Sequence, residues 1–286
     1  SQEQILEMAN ADSIQALREQ ATQIWHATYN NDSNNKCLLA NSLWLQKGLN
    51  YRQDTMDALS YHYYADVYQT NLKNAGGAIG VWLNNNTGGF LKQYTDGYAL
   101  PEETVLALYS TVYFQSKWDD EFRATNNTQA VFHAPGGDYD CTFMNAKLRQ
   151  MDYYWGESFG AVSLSLKNGS SMWFILPDEG KTVDDVIATE EYLKLVTERI
   201  PEENWENSKH LLVNLSVPRF DITSQTDLQD DLQKMGITDA FDYAKASFPA
   251  VGGGSLSRVS QAARVTIDEQ GVIAAAYTEI LAGAGM

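Results

Sequence analysis

The sequence predicts an α+β fold that is built around a large antiparallel or mixed sheet. Segments whose apolar residues recur at helical spacing mix with runs of alternating or β-branched residues that are typical of strands. The two kinds of segment do not alternate as strictly as βαβ units require, which favours the α+β class. The 286 residues are enough for one large domain or two smaller ones, and no repeat or evident linker interrupts the chain.

The first part of the chain alternates between predicted helices and strands. The run at 104–118 is β-branched and aromatic without Pro or Gly, so we expect a buried strand there. Helical spacing predicts helices over residues 1–25, 51–64 and 74–94, the last of them weakened by its glycines. Shorter strand patterns cover residues 36–46 and 65–72.

The second part begins with a predicted β-hairpin at 159–180. Val162, Leu164 and Leu166 alternate, and a KNG turn leads into the returning strand. Further segments follow in this order: a helix at 182–200, a strand at 210–222, a helix at 226–237 that ends near Gly236, and a strand at 262–269.

Composition excludes several classes of function. The net charge is −17, and no cluster of Lys and Arg offers the phosphate contacts that a nucleic-acid-binding protein needs. No apolar run of about 18 residues occurs, so we expect no membrane span. Of the two cysteines, Cys37 and Cys141, two isolated thiols are favoured over a single bridge.

A search for enzyme motifs finds no nucleophile elbow, phosphate loop or metal-ligand pair. The four histidines are scattered, and paired aspartates lie in helical contexts where a solvated face explains them. We therefore expect no catalytic residue, no metal and no cofactor, although a hydrolase with a dispersed site stays as a third interpretation.

The segment VTIDEQGVIAAA at 265–276 strongly resembles the serpins, the superfamily of serine-protease inhibitors. Other segments resemble serpin motifs and occur in the family's order. They are ANSLWL at 40–45, TVYFQSKWDDEF at 111–122, FMNAK at 143–147, WFILPDEG at 173–180, LSVPRFDI at 215–222 and LQKMGITDAF at 232–241. The resemblance covers nearly the whole chain.

The resemblance implies a serpin fold, with a large central β-sheet, two smaller sheets and surrounding helices. It also implies that residues 1–286 are an incomplete serpin domain, because the family's first helices and last strands have no counterpart here. Residues 269–286 would then be the hinge and the N-terminal part of the reactive-centre loop. In a form cleaved at or next to Met286, we expect this loop to be a strand of the large sheet and the C-terminal segment to be a second chain.

Strand geometry divides the loop into two faces, because side chains alternate with a period of two. We expect the face with small or apolar side chains to enter the interior, since an unpaired charge there would oppose insertion. That face holds Val272, Ala274, Ala276, Thr278, Ile280 and Ala282. The other face holds Ile273, Ala275, Tyr277, Glu279 and Leu281. Without the resemblance, the same Ala-rich run also fits a helix or a frayed tail.

The hinge and the scissile bond follow from the same alignment with the family. The hinge residues are Glu269, Gly271, Val272, Ala274, Ala275 and Ala276. Counting from the hinge gives Gly285 as the primary specificity residue, whereas the chain end indicates Met286. Both fit elastase-like targets, and Met286 also fits chymotrypsin-like or subtilisin-like ones. Val272, Ile273 and Tyr277 are larger or less polar than is usual in the family, which predicts slower insertion.

Two further sites are implied where the family's sheet opens. At the upper site, called the breach in the family, we expect Arg219 and Glu269 to approach each other near Trp118. At the lower site, called the shutter, Ser110 and Gln261 stand where many serpins have Asn and His. Since Ser and Gln hydrogen-bond each other readily, the pair is a candidate substitute network.

The sequence thus predicts an inhibitor of serine proteases that is not an enzyme and acts as a suicide substrate. Its partner would be a target serine protease, with a cysteine protease as an alternative, and no nucleic acid or membrane is involved. An extracellular or secreted location is expected, with an intracellular one left open. The alternative function is a non-inhibitory serpin that serves as a carrier, chaperone or storage protein.

Overall fold

A computed structural model describes residues 2–197 and 206–283 of the chain. The chain divides into two compact units. The first unit comprises Ser1–Gln115, Asp221–Thr266 and Ile273–Met286, and the second comprises Ser116–Phe220 and Ile267–Val272. Helices and multistranded sheets are both present, so the predicted α+β class is confirmed.

Helices and strands are mixed along the described part of the chain without strict alternation. The helices are α1 (Gln2–Met8), α2 (Ile14–Thr28), α3 (Gln53–Tyr63), α4 (Gly76–Asn86), α5 (Lys92–Thr95), α6 (Val183–Ile187), α7 (Glu190–Thr197) and α8 (Gln229–Lys234). The strands are β1 (Asn30–Asn31), β2 (Lys36–Gln46), β3 (Ala65–Thr70), β4 (Thr104–Lys117), β5 (Thr128–Ala134), β6 (Gly137–Trp155), β7 (Phe159–Ser165), β8 (Ser171–Pro177), β9 (Ser208–Pro218), β10 (Phe220–Asp227), β11 (Ser255–Ile267) and β12 (Gly271–Gly283).

The larger sheet has seven strands in the order β1-β2-β4-β12-β11-β10, with β3 paired to β2. It is mixed, because β2 and β4 are antiparallel whereas β3 runs parallel to β2. Strand β12 lies between β4 and β11, in the interior of the sheet. The expectation that this segment is a strand of the large sheet is confirmed for residues 271–283, and the helix and frayed-tail interpretations of the same residues are wrong.

The second sheet has five strands, with β5-β6-β7-β8 in order and β9 paired to β6. Two smaller sheets were expected, but β6 is 19 residues long and pairs with β5, β7 and β9, so it joins these strands into one sheet. The predicted hairpin of β7 and β8 is confirmed, with Leu164 opposite Met172 and Gly169 in the turn at a φ of 81°.

Several predicted helices are interrupted where a cap or a glycine stops them. The first predicted helix becomes α1 and α2, because the Ser13 hydroxyl accepts from the Ala16 amide and starts a new helix there. The glycine-weakened helix becomes α4 and α5, separated by Gly88 and Gly89, which both have positive φ. Among residues 2–197 and 206–283, no helix has the length and apolar character that crossing a membrane requires.

The core of the first unit lies between the large sheet and α4. Ile79 and Leu83 of α4 are fully buried in one apolar cluster with Ala107 and Tyr109 of β4. A Cβ atom on Gly80 would lie 2.7 Å from the Thr95 carbonyl oxygen, so glycine is required for the close approach of α4 to α5. Helix α4 packs on the face of the large sheet that carries Ala275, Tyr277 and Leu281 of β12.

Candidate functional site

The turn that joins β11 to β12 is closed by one aspartate side chain. The Asp268 carboxylate accepts hydrogen bonds from the Gln270 amide at 2.8 Å and from the Gly271 amide at 3.1 Å. The Asp268 amide donates to the Gly271 carbonyl oxygen at 3.1 Å. Residues 268–271, named the hinge turn below, are therefore closed by hydrogen bonds within the turn itself.

Gly271 is the point at which the hinge turn becomes a sheet strand. A Cβ atom at this position would overlap the carbonyl oxygen of Ser116 and crowd the Cα atom of Lys117. Backbone atoms cannot move aside as a side chain can, so only glycine allows β12 to begin here.

Trp118 follows β4 and holds the hinge turn from one side. Its side chain is fully buried, and its indole N–H donates to the Asp268 carbonyl oxygen at 2.9 Å. Its backbone amide donates to the Gln270 carbonyl oxygen at 3.0 Å, and the Phe122 amide donates to the Glu269 carbonyl oxygen at the same distance. Three successive carbonyl groups of the turn thus find donors in residues 118–122.

Glu269 lies in the hinge turn with a mostly buried carboxylate. The Asn127 amide donates to one carboxylate oxygen at 2.5 Å, and the Arg219 guanidinium lies 3.8 Å from the other. The backbone N–H of Glu269 and the Asn127 amide hold the pKa of this carboxyl below its ordinary value, and Arg219 adds a smaller effect. Because the Arg219 side chain is 55% exposed, solvent screens the ion pair and limits its contribution.

The structure therefore brings Trp118, Arg219 and Glu269 together, as the resemblance implied for the breach. Sequence reasoning missed Asn127, whose hydrogen bond to Glu269 is shorter than the Arg219 contact. Asn127 stands in the Asn-rich segment ATNNTQ, and nothing in that segment distinguishes it from its neighbours.

The orientation of β12 differs from the expectation. Ala275, Tyr277, Glu279 and Leu281 are buried, whereas the intervening residues 274, 276, 278 and 280 are only partly covered. The alternation itself was predicted correctly, but the buried face is the one that carries the bulky and charged side chains. The cause is the apolar cluster under α4, which takes in Ala275, Tyr277 and Leu281.

At the two ends of β12 the alternation stops. Val272 is 4% exposed and Ala282 is 2% exposed, so these two members of the small-residue face are buried as expected. Ala274 and Ala276 are partly buried, and Ala275 packs in the apolar cluster.

The structure separates the two residues of the predicted shutter pair. Ser110 lies on β4 opposite Asn41, and Gln261 lies on β11, so β12 stands between their strands. Strands two places apart are about 9.5 Å from each other, which is too far for a direct hydrogen bond. Gln261 instead donates to the Thr278 hydroxyl of β12 at 3.3 Å. The expected Ser110–Gln261 network is thus absent, and Gln261 contacts β12 instead.

The remaining predictions concern the scissile position, the two cysteines and metal binding. Gly285 and Met286, the candidates for the scissile position, lie outside the described residues. Cys37 and Cys141 are both free thiols. Within the part of the chain that the structure describes, no group of three or more His, Cys, Asp or Glu side chains could hold a metal ion.

Comparison with known proteins gives one consistent result. A family model described as serpin (serine protease inhibitor) matches residues 1–285. Human serpin B4 is 27% identical over 253 residues, which are 85% of this chain and 64% of that protein. Human leukocyte elastase inhibitor is 27% identical over 256 residues, which are 84% of this chain and 66% of that protein. The chain therefore spans less than two thirds of the length of these relatives.

Solved structures support the fold. The thermophilic serpin tengpin in its latent state has a TM-score of 0.85 at 23% identity, over 99% of this chain and 77% of that one. Reactive-loop-cleaved human thyroxine-binding globulin has a TM-score of 0.83 at 19% identity, over 99% of this chain and 84% of that one. At these identities the likeness shows the fold alone.

Proposed function

The chain belongs to the serpin family, and from this premise we propose that it is the loop-bearing part of a serine-protease inhibitor that acts as a suicide substrate. The observation that supports the proposal most strongly is β12, since residues 271–283 lie as an interior strand between β4 and β11. An exposed loop that becomes such a strand releases free energy, because its amides join the ladder and its apolar side chains are buried.

In the proposed reaction, the target protease attacks the loop at Gly285 or Met286 with its own serine hydroxyl. The carbonyl group of the attacked residue then forms an ester with the protease, the peptide bond after it breaks, and the residues that follow the bond leave as the amine of a second chain. Insertion of β12 draws the attached protease along the molecule and distorts its active site before water completes hydrolysis. No residue of this chain acts as a nucleophile, so the protein is an inhibitor and not an enzyme.

The hinge residues have distinct roles in this proposal. Gly271 lets the strand start beside Ser116, and Ala274 to Ala276 are small enough to enter a closed sheet in succession. Trp118, Asn127 and Arg219 hold the hinge turn in the inserted form. We propose targets with elastase-like, chymotrypsin-like or subtilisin-like pockets in an extracellular setting, with cysteine proteases as a further class.

A second candidate function is that of a non-inhibitory serpin. The observation that favours it is the pair of large side chains on the buried face, Tyr277 and Glu279, which slow the entry of the strand. A protease that completes hydrolysis before insertion would treat the loop as an ordinary substrate, and the protein would then serve another purpose, such as carriage or storage.

The two functions are separated by incubation of the full polypeptide with an elastase-like, a chymotrypsin-like and a subtilisin-like protease. The inhibitor proposal predicts a complex that survives SDS and whose mass is that of the protease plus the cleaved chain. Cleavage without such a complex with all three proteases would contradict it and favour the second candidate.

A pair of variants ties the result to β12. Ala275→Arg puts a charge on the buried face of the strand and should convert the inhibitor into a substrate. Gln270→Arg adds the same charge to an exposed residue of the hinge turn and should leave the complex intact. Equal complex formation by both variants would show that insertion of β12 is not required.

A further inference from the structure

Glu279 is a carboxylate in the middle of an interior sheet strand. Its side chain is 1% exposed, and its neighbours on the same face, Tyr277 and Leu281, belong to the apolar cluster under α4. An ionised carboxylate loses most of its hydration in such a place, so its protonation state matters for the stability of the strand. The role proposed above for β12 does not use this group.

The carboxylate has polar partners on two neighbouring strands and one loop. On β11, the Arg258 guanidinium and the Ser260 hydroxyl each lie 3.2 Å from one carboxylate oxygen. The other oxygen accepts a hydrogen bond from the Tyr98 hydroxyl, and the Tyr109 hydroxyl of β4 lies 3.5 Å away. The two tyrosine hydroxyls are 2.7 Å apart. Each can donate or accept, so the network can serve the carboxylate or the neutral acid.

Further titratable groups near this site are tyrosines. Tyr277 lies on the same face of β12, and Tyr94 of α5 packs against the same cluster. Burial raises the pKa of Tyr109 and that of Tyr277, so both keep their protons. The side chains that α4 contributes to this cluster, such as Ile79 and Leu83, are apolar. Arg258 is thus the cation that faces Glu279.

Arg258 does not offset the burial of the carboxylate. Its side chain is 44% exposed, so solvent screens its attraction for Glu279. Desolvation raises the pKa of Glu279 to about 7. The group is therefore partly protonated near neutrality when β12 lies in the sheet.

We propose that Glu279 makes the insertion of β12 dependent on pH, so that acidification favours the inserted form of the sheet. This inference rests on the proposed function, because it requires that the same residues also exist as an exposed loop. In the loop the carboxylate is hydrated, whereas in the strand it is enclosed by Arg258, Ser260, Tyr98 and Tyr109.

The sign of the effect follows from linkage. In an exposed loop the glutamate has an ordinary pKa of about 4.3, and in the strand its pKa is about 7. The inserted form therefore binds the proton more tightly between these values. The insertion equilibrium constant rises as pH falls through this window, by up to about tenfold per pH unit. Below about pH 4.3 and above about pH 7, Glu279 contributes no further dependence.

The test uses the full polypeptide, cut in the loop by a protease, and the uncut protein as its reference. Urea unfolding at several pH values from 5 to 8 gives the equilibrium constant for unfolding of each form. The constant of the uncut protein divided by that of the cut protein reports how strongly insertion stabilises the sheet. For the wild type we expect this ratio to rise as pH falls below about 7. For Glu279→Gln, which resembles the neutral acid, we expect a flat profile and a larger ratio than that of the wild type at pH 8.

Two more variants make the test decisive. Glu102→Gln removes an exposed carboxylate that pairs with Lys73, and it should keep the wild-type profile. Arg258→Gln removes the facing cation and should move the window to higher pH. If Glu279→Gln does not fold, Glu279→Ala, which also removes the carboxyl group, carries the test, and a wild-type slope in that variant overturns the inference.

The outcomes also separate this inference from the function on which it rests. If the cut protein is no more stable than the uncut one at any pH, β12 does not insert and the proposed function fails. If cleavage stabilises the protein equally from pH 5 to 8, or if Glu279→Gln keeps the wild-type slope, the pH inference is overturned while the proposed function stands.

Discussion

Glu269 and Glu279 are ten residues apart on one segment, and their surroundings act on them in opposite ways. Glu269 in the hinge turn receives hydrogen bonds, and its pKa is lowered. Glu279 in the middle of β12 is more deeply enclosed, and burial raises its pKa. Hydrogen bonds in the turn stabilise the charged form of Glu269, whereas burial in the sheet disfavours the charged form of Glu279. The turn is therefore held by its hydrogen bonds, whereas the proposed entry of the strand depends on the protonation state of Glu279.

The largest effect is expected from removing the glycine that joins these two parts. Gly271→Val places a branched side chain against the Ser116 carbonyl group, so the inserted form should lose about 3 kcal/mol. The measurement is the difference in unfolding free energy between the cut and uncut protein. Gly77→Ala is the matched control, because a Cβ atom there meets nothing within 4 Å. If the difference in unfolding free energy is unchanged in Gly271→Val, the close approach of Gly271 to Ser116 is not needed for the inserted form.

A smaller loss is expected when the hinge turn loses its buried donor. Trp118→Phe leaves the Asp268 carbonyl group without its indole partner, which should cost about 2 kcal/mol in the cut protein. Trp173→Phe changes a partly buried tryptophan in the same unit and serves as the control. Equal losses in the two variants would mean that the hydrogen bond to the hinge turn contributes nothing specific.

The charge of Glu269 should matter less than the tryptophan, and its pH dependence should be opposite to that of Glu279. Glu269→Gln weakens two charge-assisted contacts and should cost about 1 kcal/mol at neutral pH. Because the pKa is lowered in the folded protein, this contribution is present above the ordinary carboxyl pKa of about 4.3 and is lost as pH falls below it.

Urea unfolding of the cut protein between pH 3 and 7 checks the sign for Glu269. Wild type and Glu269→Gln should converge at the acidic end of this range. Glu121→Gln, which removes a half-exposed carboxylate near Lys117, is the control. A difference that grows on acidification would refute the comparison between the two glutamates.

The smallest effect is expected for Arg219. The guanidinium is 3.8 Å from Glu269 and more than half exposed, so Arg219→Ala should change the stability of the cut protein by about 0.5 kcal/mol or less. A loss as large as that of Trp118→Phe would show that the ion pair, and not the Asn127 and backbone hydrogen bonds, holds the carboxylate.

Much of the fold could be predicted because it depends on local patterns. The β-branched run of β4, the hairpin of β7 and β8, and the strand character of residues 271–283 all follow from the period of their side chains or from a resemblance carried by neighbouring residues. The approach of Arg219 to Glu269 near Trp118 also follows from the resemblance, since each stands in a recognisable segment.

What could not be predicted depends on contacts between distant segments. A period of two divides β12 into two faces, but the packing of α4 on the sheet decides which face is buried, the one that carries Tyr277 and Glu279. The partners of Glu279 come from residues as far apart as Tyr98 and Arg258. Ser110 and Gln261 failed as a pair for the same reason, because β12 lies between their strands.

We propose that residues 271–283 are an exposed loop in the uncut protein and become an interior strand when the loop is cut. Hydrogen exchange followed by mass spectrometry tests this directly, with α1 peptides as an internal reference in both forms. If this proposal is right, the amides of residues 272–282 exchange rapidly in the uncut protein and become strongly protected after cleavage. Rapid exchange of these amides in the cut protein would contradict it.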